Sequence, residues 1–215
     1  MRVLLIGATG KVGRPILREL VNRGHDVTVL VRNPAPLAEE FPAVRAVPGD
    51  VFDQDLVAAT VRGCDVILSS VALRDAAQAD RDPVALIRAL AAVAAGQDTR
   101  WISLGGAGSL EVAPGVPFVD TPEFPAAARP ESDGFRNALT ELRERAPAGL
   151  RWTVVSPPVL IEVDAPRTGS YRTGTDTLLR RPDGSSAISA ADLAVAVVDE
   201  AEQAGHVRAR FTVGY

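Results

Sequence analysis

The sequence is poor in the residues that metal sites and covalent catalysis most often use. Its 215 residues include one cysteine, Cys64, and two histidines, His25 and His206, which stand far apart. A single cysteine excludes a disulfide within the chain and a cysteine-rich zinc site, and the histidines lack metal-ligand spacing, so we expect no metal site. Lysine is equally scarce, because Lys11 is the only one. A reaction that needs a lysine must therefore use Lys11.

Long apolar runs and an excess of positive charge are also missing. No apolar run approaches the roughly 20 residues that cross a bilayer. The run at residues 3–6 ends at Gly7 and is too short for a signal peptide, so we expect a cytoplasmic protein with no membrane partner. The formal net charge of −4 argues against nucleic acid as a partner, because phosphate binding favours a basic surface.

Apolar residues are abundant and fall into alternating segments. They make up 47% of the chain, and the length fits one domain over residues 1–215. Short β-branched runs alternate with longer alanine- and leucine-rich segments. This pattern predicts an α/β fold, a Rossmann-like doubly wound parallel sheet with helices on both faces. We predict strands over 2–6, 26–31, 44–47, 66–70, 100–104, 152–156 and 208–213, and helices over 13–23, 54–61, 83–95, 132–146 and 190–203. Ser189 is predicted to cap the last helix, with Asp192 completing a box-like pair.

Two irregular segments interrupt this alternation. One spans about 105–130 and is rich in proline, and the other spans about 157–184 and is rich in Gly, Thr and Arg. Each follows the carboxyl end of a predicted strand, where open α/β sheets bind their ligands. We therefore expect substrate-side loops and a small irregular C-terminal substrate region. The alternative is that both are surface loops without a role.

The clearest motif is the run Gly7-Ala8-Thr9-Gly10-Lys11-Val12-Gly13, which follows the first predicted strand and opens the first helix. A glycine at position 7 allows a tight turn, one at position 10 allows backbone N–H groups to approach a pyrophosphate, and one at position 13 allows close helix packing. The spacing predicts a dinucleotide site. The alternative, a merely tight turn, does not require three glycines. The expected cofactor contacts in this run are Gly7, Thr9, Gly10, Lys11, Val12 and Gly13.

Arg32 determines which dinucleotide we expect. It stands 19 residues after Gly13, where NAD-binding sites carry Asp or Glu for the ribose 2′-hydroxyl. A guanidinium there can pair with a 2′-phosphate instead, Lys11 and Arg14 can add positive charge, and Thr9 can supply a hydroxyl donor. We predict NADPH (NADP) in preference to NADH. The alternative is that Arg32 is a solvated surface residue.

Later strand ends supply further candidate cofactor contacts. Asp50 and Val51 are predicted at the adenine, although Asp50 fits equally well as a turn residue. Ser69, Ser70 and Val71 are predicted near the central riboses, and Ser103 and the residues that follow it, to Gly106, near the nicotinamide. Small residues at these positions also suit simple packing.

With these motifs the sequence resembles the atypical short-chain dehydrogenase/reductase superfamily. More narrowly, it resembles the NAD(P)H-binding, NmrA-like group, which includes proteins assigned as NADH-flavin reductases and the B-type biliverdin/flavin reductase. The resemblance covers nearly the whole chain and is carried by residues 1–13 and 23–34, and later by 105–110, 168–172, Asp192 and 211–215. It implies a Rossmann-like fold and a nicotinamide cofactor, in a group whose substrates are mostly unknown.

One departure from typical short-chain dehydrogenases limits the chemistry. Those enzymes use a Tyr-x-x-x-Lys pair, in which the lysine lowers the tyrosine pKa. Here the tyrosines are Tyr171 and Tyr215, and the helix that usually carries the pair has Phe135 and Leu139. Alcohol oxidation and sugar epimerisation by that pair are therefore disfavoured. Hydride transfer to a flavin, a quinone-like compound or another conjugated acceptor remains, because such an acceptor can take its proton from water.

Two residues are candidates for a chemical role. Ser103 could hydrogen-bond the carboxamide or the acceptor, and Tyr171 could close over the cleft or donate a proton; alternatively, one is an ordinary strand-end hydroxyl and the other a packed aromatic. The sequence thus predicts an NADPH-dependent oxidoreductase with a small-molecule acceptor as its partner. The alternatives are a non-catalytic NADP(H)-binding redox sensor, or a natural-product isomerase or dehydratase on the same fold.

Overall fold

A computed structural model describes residues 1–73 and 82–215 of the chain. The strands, in chain order, are β1 (Arg2–Ile6), β2 (Asp26–Val31), β3 (Arg45–Pro48), β4 (Val66–Ser69), β5 (Arg100–Leu104), β6 (Glu111–Ala113), β7 (Val116–Pro117), β8 (Trp152–Ser156), β9 (Leu160–Glu162), β10 (Arg172–Gly174), β11 (Ala187–Ser189) and β12 (Ala209–Gly214). The helices are α1 (Gly13–Asn22), α2 (Ala35–Ala38), α3 (Gln54–Val61), α4 (Pro83–Gly96), α5 (Arg129–Arg145) and α6 (Ala190–Gln203), with short 3₁₀ turns at Phe118–Asp120 and Ala126–Ala128.

Eight of these strands form one central sheet in the order β10-β12-β8-β5-β4-β1-β2-β3. Neighbouring strands are parallel except β10, which runs antiparallel to β12. The chain winds outward from β1 to β3, then crosses to β4 and winds the other way. The order therefore reverses between β1 and β4, where Ile6 lies beside Ser69. The predicted doubly wound sheet is confirmed, and its reversal point is where such sheets bind ligands.

Helices cover both faces of the sheet, as predicted. Side chains of a strand point alternately to opposite faces, so Leu5 packs in a cluster with residues of α1 and α6, such as Leu17 and Val197. Its neighbour Leu4 packs in a second cluster with residues of α3, α4 and α5, such as Leu90. Among the residues that the structure describes, no helix is both long enough and apolar enough to span a membrane.

The observed elements differ from the predicted ones mainly in the irregular segments. The helix predicted over 132–146 begins earlier, at Arg129, and the strands β6, β7, β9, β10 and β11, each two or three residues long, were not predicted. Ser189 caps α6 as predicted, because its Oγ accepts from the Asp192 amide at 2.9 Å. The other half of the predicted pair, a bond from the Ser189 amide to the Asp192 carboxylate, was wrong. The Ser189 amide donates to the Tyr215 hydroxyl at 3.2 Å, while the Asp192 carboxylate binds the chain at Thr168.

Candidate functional site

A groove of about 970 Å³ runs along the carboxyl ends of the central strands. Sheet order divides its lining into two parts. The loops after β1 to β4 form one part, which we call the glycine-loop half. It comprises Ile6, Gly7, Thr9, Gly10, Lys11, Val12, Leu30, Val31, Arg32, Gly49, Asp50, Val51, Phe52, Ser70, Val71, Ala72 and Leu73. The loops after β5 and β8, with the start of α5, form the aromatic half. It comprises Leu104, Gly105, Gly106, Ala107, Gly108, Phe118, Phe124, Pro125, Ala128, Glu131, Ser132, Phe135, Pro157, Pro158, Val159 and Ile161.

Two glycines of the first loop stand where a side chain has no room. Gly7 has φ +90°, and a Cβ on it would lie 2.3 Å from the carbonyl oxygen of Ser70. A Cβ on Gly13 would lie 2.0 Å from the carbonyl oxygen of Gly7. The loop therefore packs directly against the end of β4, and the first residue of α1 packs directly against the loop. These contacts confirm the tight turn predicted for Gly7 and the close helix packing predicted for Gly13.

The N-terminus of α1 opens toward the groove without a side-chain cap. Val12 holds the N-cap position and lines the groove, and no side chain among the described residues caps this end of the helix. Gly10 closes the turn, because its amide donates to the Gly7 carbonyl at 3.0 Å, and its own carbonyl accepts from the Arg14 amide at 3.0 Å. A helix N-terminus carries partial positive charge and binds anions such as phosphate. The loop thus has the geometry of an anion cradle.

Two cations of the glycine-loop half are not paired with an acidic side chain in the part of the chain that the structure describes. Arg32 and Lys11 both line the groove and are exposed. Within residues 1–73 and 82–215, neither side chain forms an ion pair. Arg14, which the sequence suggested as a further charge, is engaged elsewhere: its guanidinium pairs with Glu40 at 3.1 Å and donates to the Pro36 carbonyl. Arg14 is also absent from the groove lining.

Of the cofactor contacts predicted at the later strand ends, some line the groove and others do not. Asp50, Val51 and Val71 line the groove, and an Asp50 oxygen accepts from the Phe52 amide at 3.0 Å, so it also shapes the turn. Ser70, which was predicted near the central riboses with Ser69 and Val71, lines the groove as well and directly follows the last residue of β4.

Ser69 and Ser103 lie beneath the groove instead of in its lining. They are 2% and 3% exposed, and the Ser69 hydroxyl donates to the Ser103 hydroxyl at 3.0 Å. The indole N–H of Trp101 donates to Ser69 at 3.1 Å. Both side chains therefore point into the sheet core and satisfy each other there. Their placement does not bring either hydroxyl to the surface that a bound cofactor would contact.

Tyr171 also lies away from the groove. Its hydroxyl donates to a carboxylate oxygen of Asp199 on α6 at 2.5 Å, and its ring packs against the core cluster that contains α1 and α6. Burial raises the pKa of the Tyr171 hydroxyl, and the Asp199 carboxylate raises it further. The group therefore stays protonated and fixed at neutral pH, remote from the residues that line the groove.

The aromatic half combines a floor without side chains and an aromatic wall. A Cβ on Gly105 would lie 2.8 Å from a Val154 methyl carbon, so a side chain there would require Val154 or the loop to shift. Phe135 of α5 faces Gly106, with its own Cβ 3.7 Å from where a Gly106 Cβ would stand. Phe118 and Phe124 pack edge to face, with ring centroids 5.1 Å apart. This part of the groove, which we call the slot, is therefore bounded by glycine backbone and phenylalanine rings.

Sequence reasoning missed Phe118 and Phe124, although a signal was present. Two phenylalanines within one proline-rich segment after a strand end indicate an anchored loop. The first irregular segment thus contributes much of the aromatic half. The second contributes only its start, from Pro157 to Ile161.

Arg210 of β12 anchors the loop after β5, which forms the floor of the slot. Its side chain is 2% exposed, and it donates to the Ser109 hydroxyl at 3.1 Å and to Asp176 at 2.8 Å. Asp176 in turn accepts from Arg143 of α5 at 2.7 Å. These bonds join the loop after β5, the sheet and α5. A charged network of this kind holds the slot in one geometry.

The sheet, its reversal point and the glycine cradle together define a nucleotide-binding α/β protein of the Rossmann class. Residues 7–204 match the family described as NAD(P)H-binding, and the chain belongs to that family. The cradle, the uncapped end of α1 and the volume of the groove fit such a cofactor. The resemblance and the nicotinamide cofactor expected from the sequence are thereby confirmed.

Similar proteins cover the chain from end to end. The uncharacterised protein YwnB of Bacillus subtilis is 37% identical over 216 residues, which span 99% of this chain and 98% of YwnB. A solved structure from Streptococcus pneumoniae, described as a "putative NADH-flavin reductase", is 31% identical with a TM-score of 0.86 and covers 100% of this chain and 99% of its own. Another, described as a "putative epimerase" from Bacteroides thetaiotaomicron, is 30% identical with a TM-score of 0.90 and covers 100% and 96%.

Proposed function

We propose that this protein is an NADPH-dependent oxidoreductase that reduces a flat, conjugated small molecule such as a flavin or a quinone. One observation carries the proposal: a single groove joins the glycine cradle, and two cations that no described acidic residue pairs with, to a slot between glycine backbone and phenylalanine rings. Such a groove can hold a dinucleotide and a second planar molecule end to end. Its volume lies at the upper end of the range for small-molecule sites.

The preference for NADPH is argued from Arg32. It stands at the end of β2, beside the cradle, where an acidic residue would instead select the 2′-hydroxyl of NADH. Its guanidinium can form two parallel bonds to a 2′-phosphate, and Lys11 adds a second positive charge at the same end. Because neither cation is neutralised by a described residue, both are available to a phosphate.

The acceptor class is argued from the slot. A bound reduced nicotinamide supplies a hydride, and a flavin or quinone takes up that hydride together with one proton from water. The chain then has to hold two flat rings in contact, in an orientation suited to hydride transfer. Gly105 and Gly106 leave the floor open to a ring, and Phe135 covers it. No Tyr-Lys pair is needed, because a conjugated acceptor disperses the incoming charge.

Two measurements test the proposal. Calorimetric titration with NADPH and NADH gives the cofactor and its preference. Anaerobic NADPH consumption is then followed with riboflavin, FMN and 2-methyl-1,4-naphthoquinone as acceptors. We expect tighter NADPH binding and turnover with at least one acceptor. If titration with NADPH and titration with NADH both produce no heat of binding, the proposal is refuted.

A second candidate is a sensor that binds NADP(H) without turnover. It is favoured by Phe135 and Leu139, which stand on α5 where catalytic relatives carry a proton-transferring pair; Phe135 lines the groove and Leu139 is 6% exposed. A hydrocarbon pair supports binding and stacking but no proton transfer. Tight NADPH binding with no consumption across the three acceptors would favour the sensor.

A further inference from the structure

We infer that the acceptor carries an apolar substituent, and that this substituent leaves the groove across Val159 at the mouth of the aromatic half. This inference rests on the proposed function and narrows its substrate class from any flat, conjugated molecule to a lipophilic one, an alkyl-substituted quinone. Val159 is thereby assigned as a specificity-determining residue.

The two halves of the groove open to solvent through different kinds of residue. Lining residues that are exposed mark where the groove opens. In the glycine-loop half the described ones are Thr9, Gly10, Lys11, Arg32 and Ala72, and so include both cations. In the aromatic half they are Pro125, Ala128 and Val159, which we call the apolar rim. A molecule that fills the slot and extends past the rim therefore contacts apolar side chains there.

The apolar exposure continues along the chain beside the rim. Among the described residues, seven large apolar side chains are exposed, and three of them, Val159, Leu160 and Val163, lie within residues 159–163. Exposed apolar residues that are scattered singly are ordinary, whereas a cluster at the edge of a ligand groove indicates a binding surface. The cluster adjoins the aromatic half and not the glycine-loop half, so we assign it to the acceptor.

The geometry of β9 directs Val159 at the groove. Val159 and Ile161 both line the groove, whereas Leu160 between them does not. This is the arrangement expected where successive side chains point to opposite sides of a strand. Val159 is 46% exposed, so a ligand in the groove can reach its side chain. An alkyl chain laid across it removes apolar area of both partners from water, which favours binding.

The charges of the aromatic half favour an alkylated quinone over a flavin nucleotide. Glu131 is the charged residue of its described lining, and no cation is among those residues. FMN carries a phosphate, which proteins bind with cations and other hydrogen-bond donors. An alkyl chain needs neither, and the apolar rim suits it.

The test compares 2,3-dimethoxy-5-methyl-1,4-benzoquinone, the parent quinone, with its 6-pentyl derivative. Burying one methylene group strengthens binding about fourfold, so we expect kcat/KM for the pentyl quinone to exceed that for the parent by at least about tenfold. Val159→Asp should reduce this ratio to about threefold or less, because an alkyl chain over the rim would strip water from the carboxylate. The dissociation constant of NADPH should stay within about twofold of the wild type.

Val116→Asp is the matched control, because Val116 is 41% exposed and is absent from the described groove lining. It should leave the ratio of the two quinones unchanged. Val159→Ile, which keeps the side chain apolar, should preserve the ratio as well. Ala128→Asp provides a second variant at the rim should Val159→Asp fail to fold. Ala128 holds the N-cap of α5, where aspartate is favourable, and its substitution should also lower the ratio.

The heat-capacity change of binding provides a readout other than activity. Burial of apolar surface makes this quantity negative. Calorimetry on the NADP⁺-loaded protein at several temperatures should give a more negative value for the pentyl quinone than for the parent. The difference should shrink in Val159→Asp and persist in Val116→Asp.

Three outcomes would overturn the inference while leaving the proposed function intact. They are equal kcat/KM for the two quinones, a pentyl preference that persists in Val159→Asp and Ala128→Asp, and a higher kcat/KM for riboflavin or FMN than for the pentyl quinone. Failure of NADPH binding, or of wild-type turnover with every acceptor, would instead overturn the proposed function, and the inference with it.

Discussion

The three glycines of the first loop meet different physical demands, and substitution by alanine separates them. A methyl group at Gly13 would lie 2.0 Å from a backbone oxygen, whereas at Gly10 its nearest neighbour, the Gly7 oxygen, would be 3.3 Å away. We expect Gly13→Ala to lower the free energy of unfolding by about 1–3 kcal/mol, because the loop or α1 must shift. Gly10→Ala should change it by no more than about 0.5 kcal/mol. Thermal unfolding measures both.

The affinity for NADPH provides a second test, and here Gly10→Ala is the variant that we expect to change. The methyl group of Gly10→Ala stands at the mouth of the cradle, so we expect NADPH to bind at least about tenfold more weakly, a loss of about 1.4 kcal/mol. The protein would remain folded. If Gly10→Ala binds NADPH as tightly as the wild type, the pyrophosphate does not lie on this loop.

Arg32 carries the prediction of cofactor preference. Arg32→Ala should weaken NADPH binding about 10- to 100-fold, since hydrogen bonds to a charged group contribute about 1.5–3 kcal/mol. NADH binding should change by less than twofold, because NADH has no 2′-phosphate. Calorimetric titration of both nucleotides measures the difference. Arg14→Ala is the matched control, because Arg14 pairs with Glu40 outside the groove, and it should leave both affinities unchanged. Equal losses for NADH and NADPH in Arg32→Ala would contradict the assignment.

At this scale the sequence predicted backbone requirements better than side-chain partners. The roles of Gly7 and Gly13 follow from local geometry and could be predicted. The engagement of Arg14 by Glu40, or of Tyr171 by Asp199, could not, because each partner is distant in sequence and is brought near only by the fold. The same holds for Ser69, whose direction depends on Trp101 in the next strand.

At the scale of elements, prediction succeeded where an element carries its own pattern. Strands buried on both faces read as continuous apolar runs, and β1 and β2 were predicted at their observed bounds. Three of the short strands were missed because their pairing is non-local: β9 pairs with β11, more than twenty residues later in the chain, and β10 pairs with the distant β12. The other two, β6 and β7, form a local hairpin, but they are only three and two residues long. A strand of two or three residues is too short to show the alternating pattern of side chains, and it is extended only because it pairs with its partner strand.

The anchor of α6 predicts a specific dependence of stability on pH. The Asp192 carboxylate accepts from the Thr168 hydroxyl at 2.7 Å and from the Gly169 amide at 2.7 Å, and the Tyr215 hydroxyl also donates to it. Burial acts to raise the pKa of Asp192, but these hydrogen bonds outweigh burial and hold the pKa below its ordinary value. The carboxylate therefore stabilises the fold above the pKa of the unfolded chain, about 3.9, and loses that effect as the pH falls through the folded value.

Asp192→Asn tests this dependence. At pH 7 we expect it to lower the free energy of unfolding by about 2–3 kcal/mol, because an amide cannot accept all of these donors. The difference from the wild type should shrink as the pH falls below about 4, where the carboxylate of the unfolded chain takes up a proton that the folded carboxylate does not yet bind. Chemical unfolding at a series of pH values measures it. Asp53→Asn is the control, because Asp53 caps α3 through the Leu56 amide and asparagine caps equally well. A pH-independent difference would exclude the carboxylate charge as the cause.

At the scale of the whole molecule, the groove is built from segments that are far apart in the chain. The cradle comes from the first loop, and the aromatic half from the loops after β5 and β8 and from α5. A ligand that touches all of them binds the folded state and not the unfolded one, so its binding free energy adds to global stability. Variants at the two ends of the groove should therefore affect different ligands, Arg32 the cofactor and Phe135 the acceptor.

This coupling predicts the size of a thermal shift. At a nucleotide concentration about 100 times the dissociation constant, NADPH should add about 2.7 kcal/mol to the free energy of unfolding. For a domain of this length, 1 kcal/mol corresponds to about 2–4 °C, so the melting temperature should rise by about 5–10 °C. NADH at the same concentration should give a smaller rise, and Arg32→Ala should reduce the NADPH shift to that of NADH. Phe135→Ala should keep the full NADPH shift, because its ring belongs to the aromatic half. If Phe135→Ala abolished the NADPH shift as well, the groove would not divide into a cofactor end and an acceptor end.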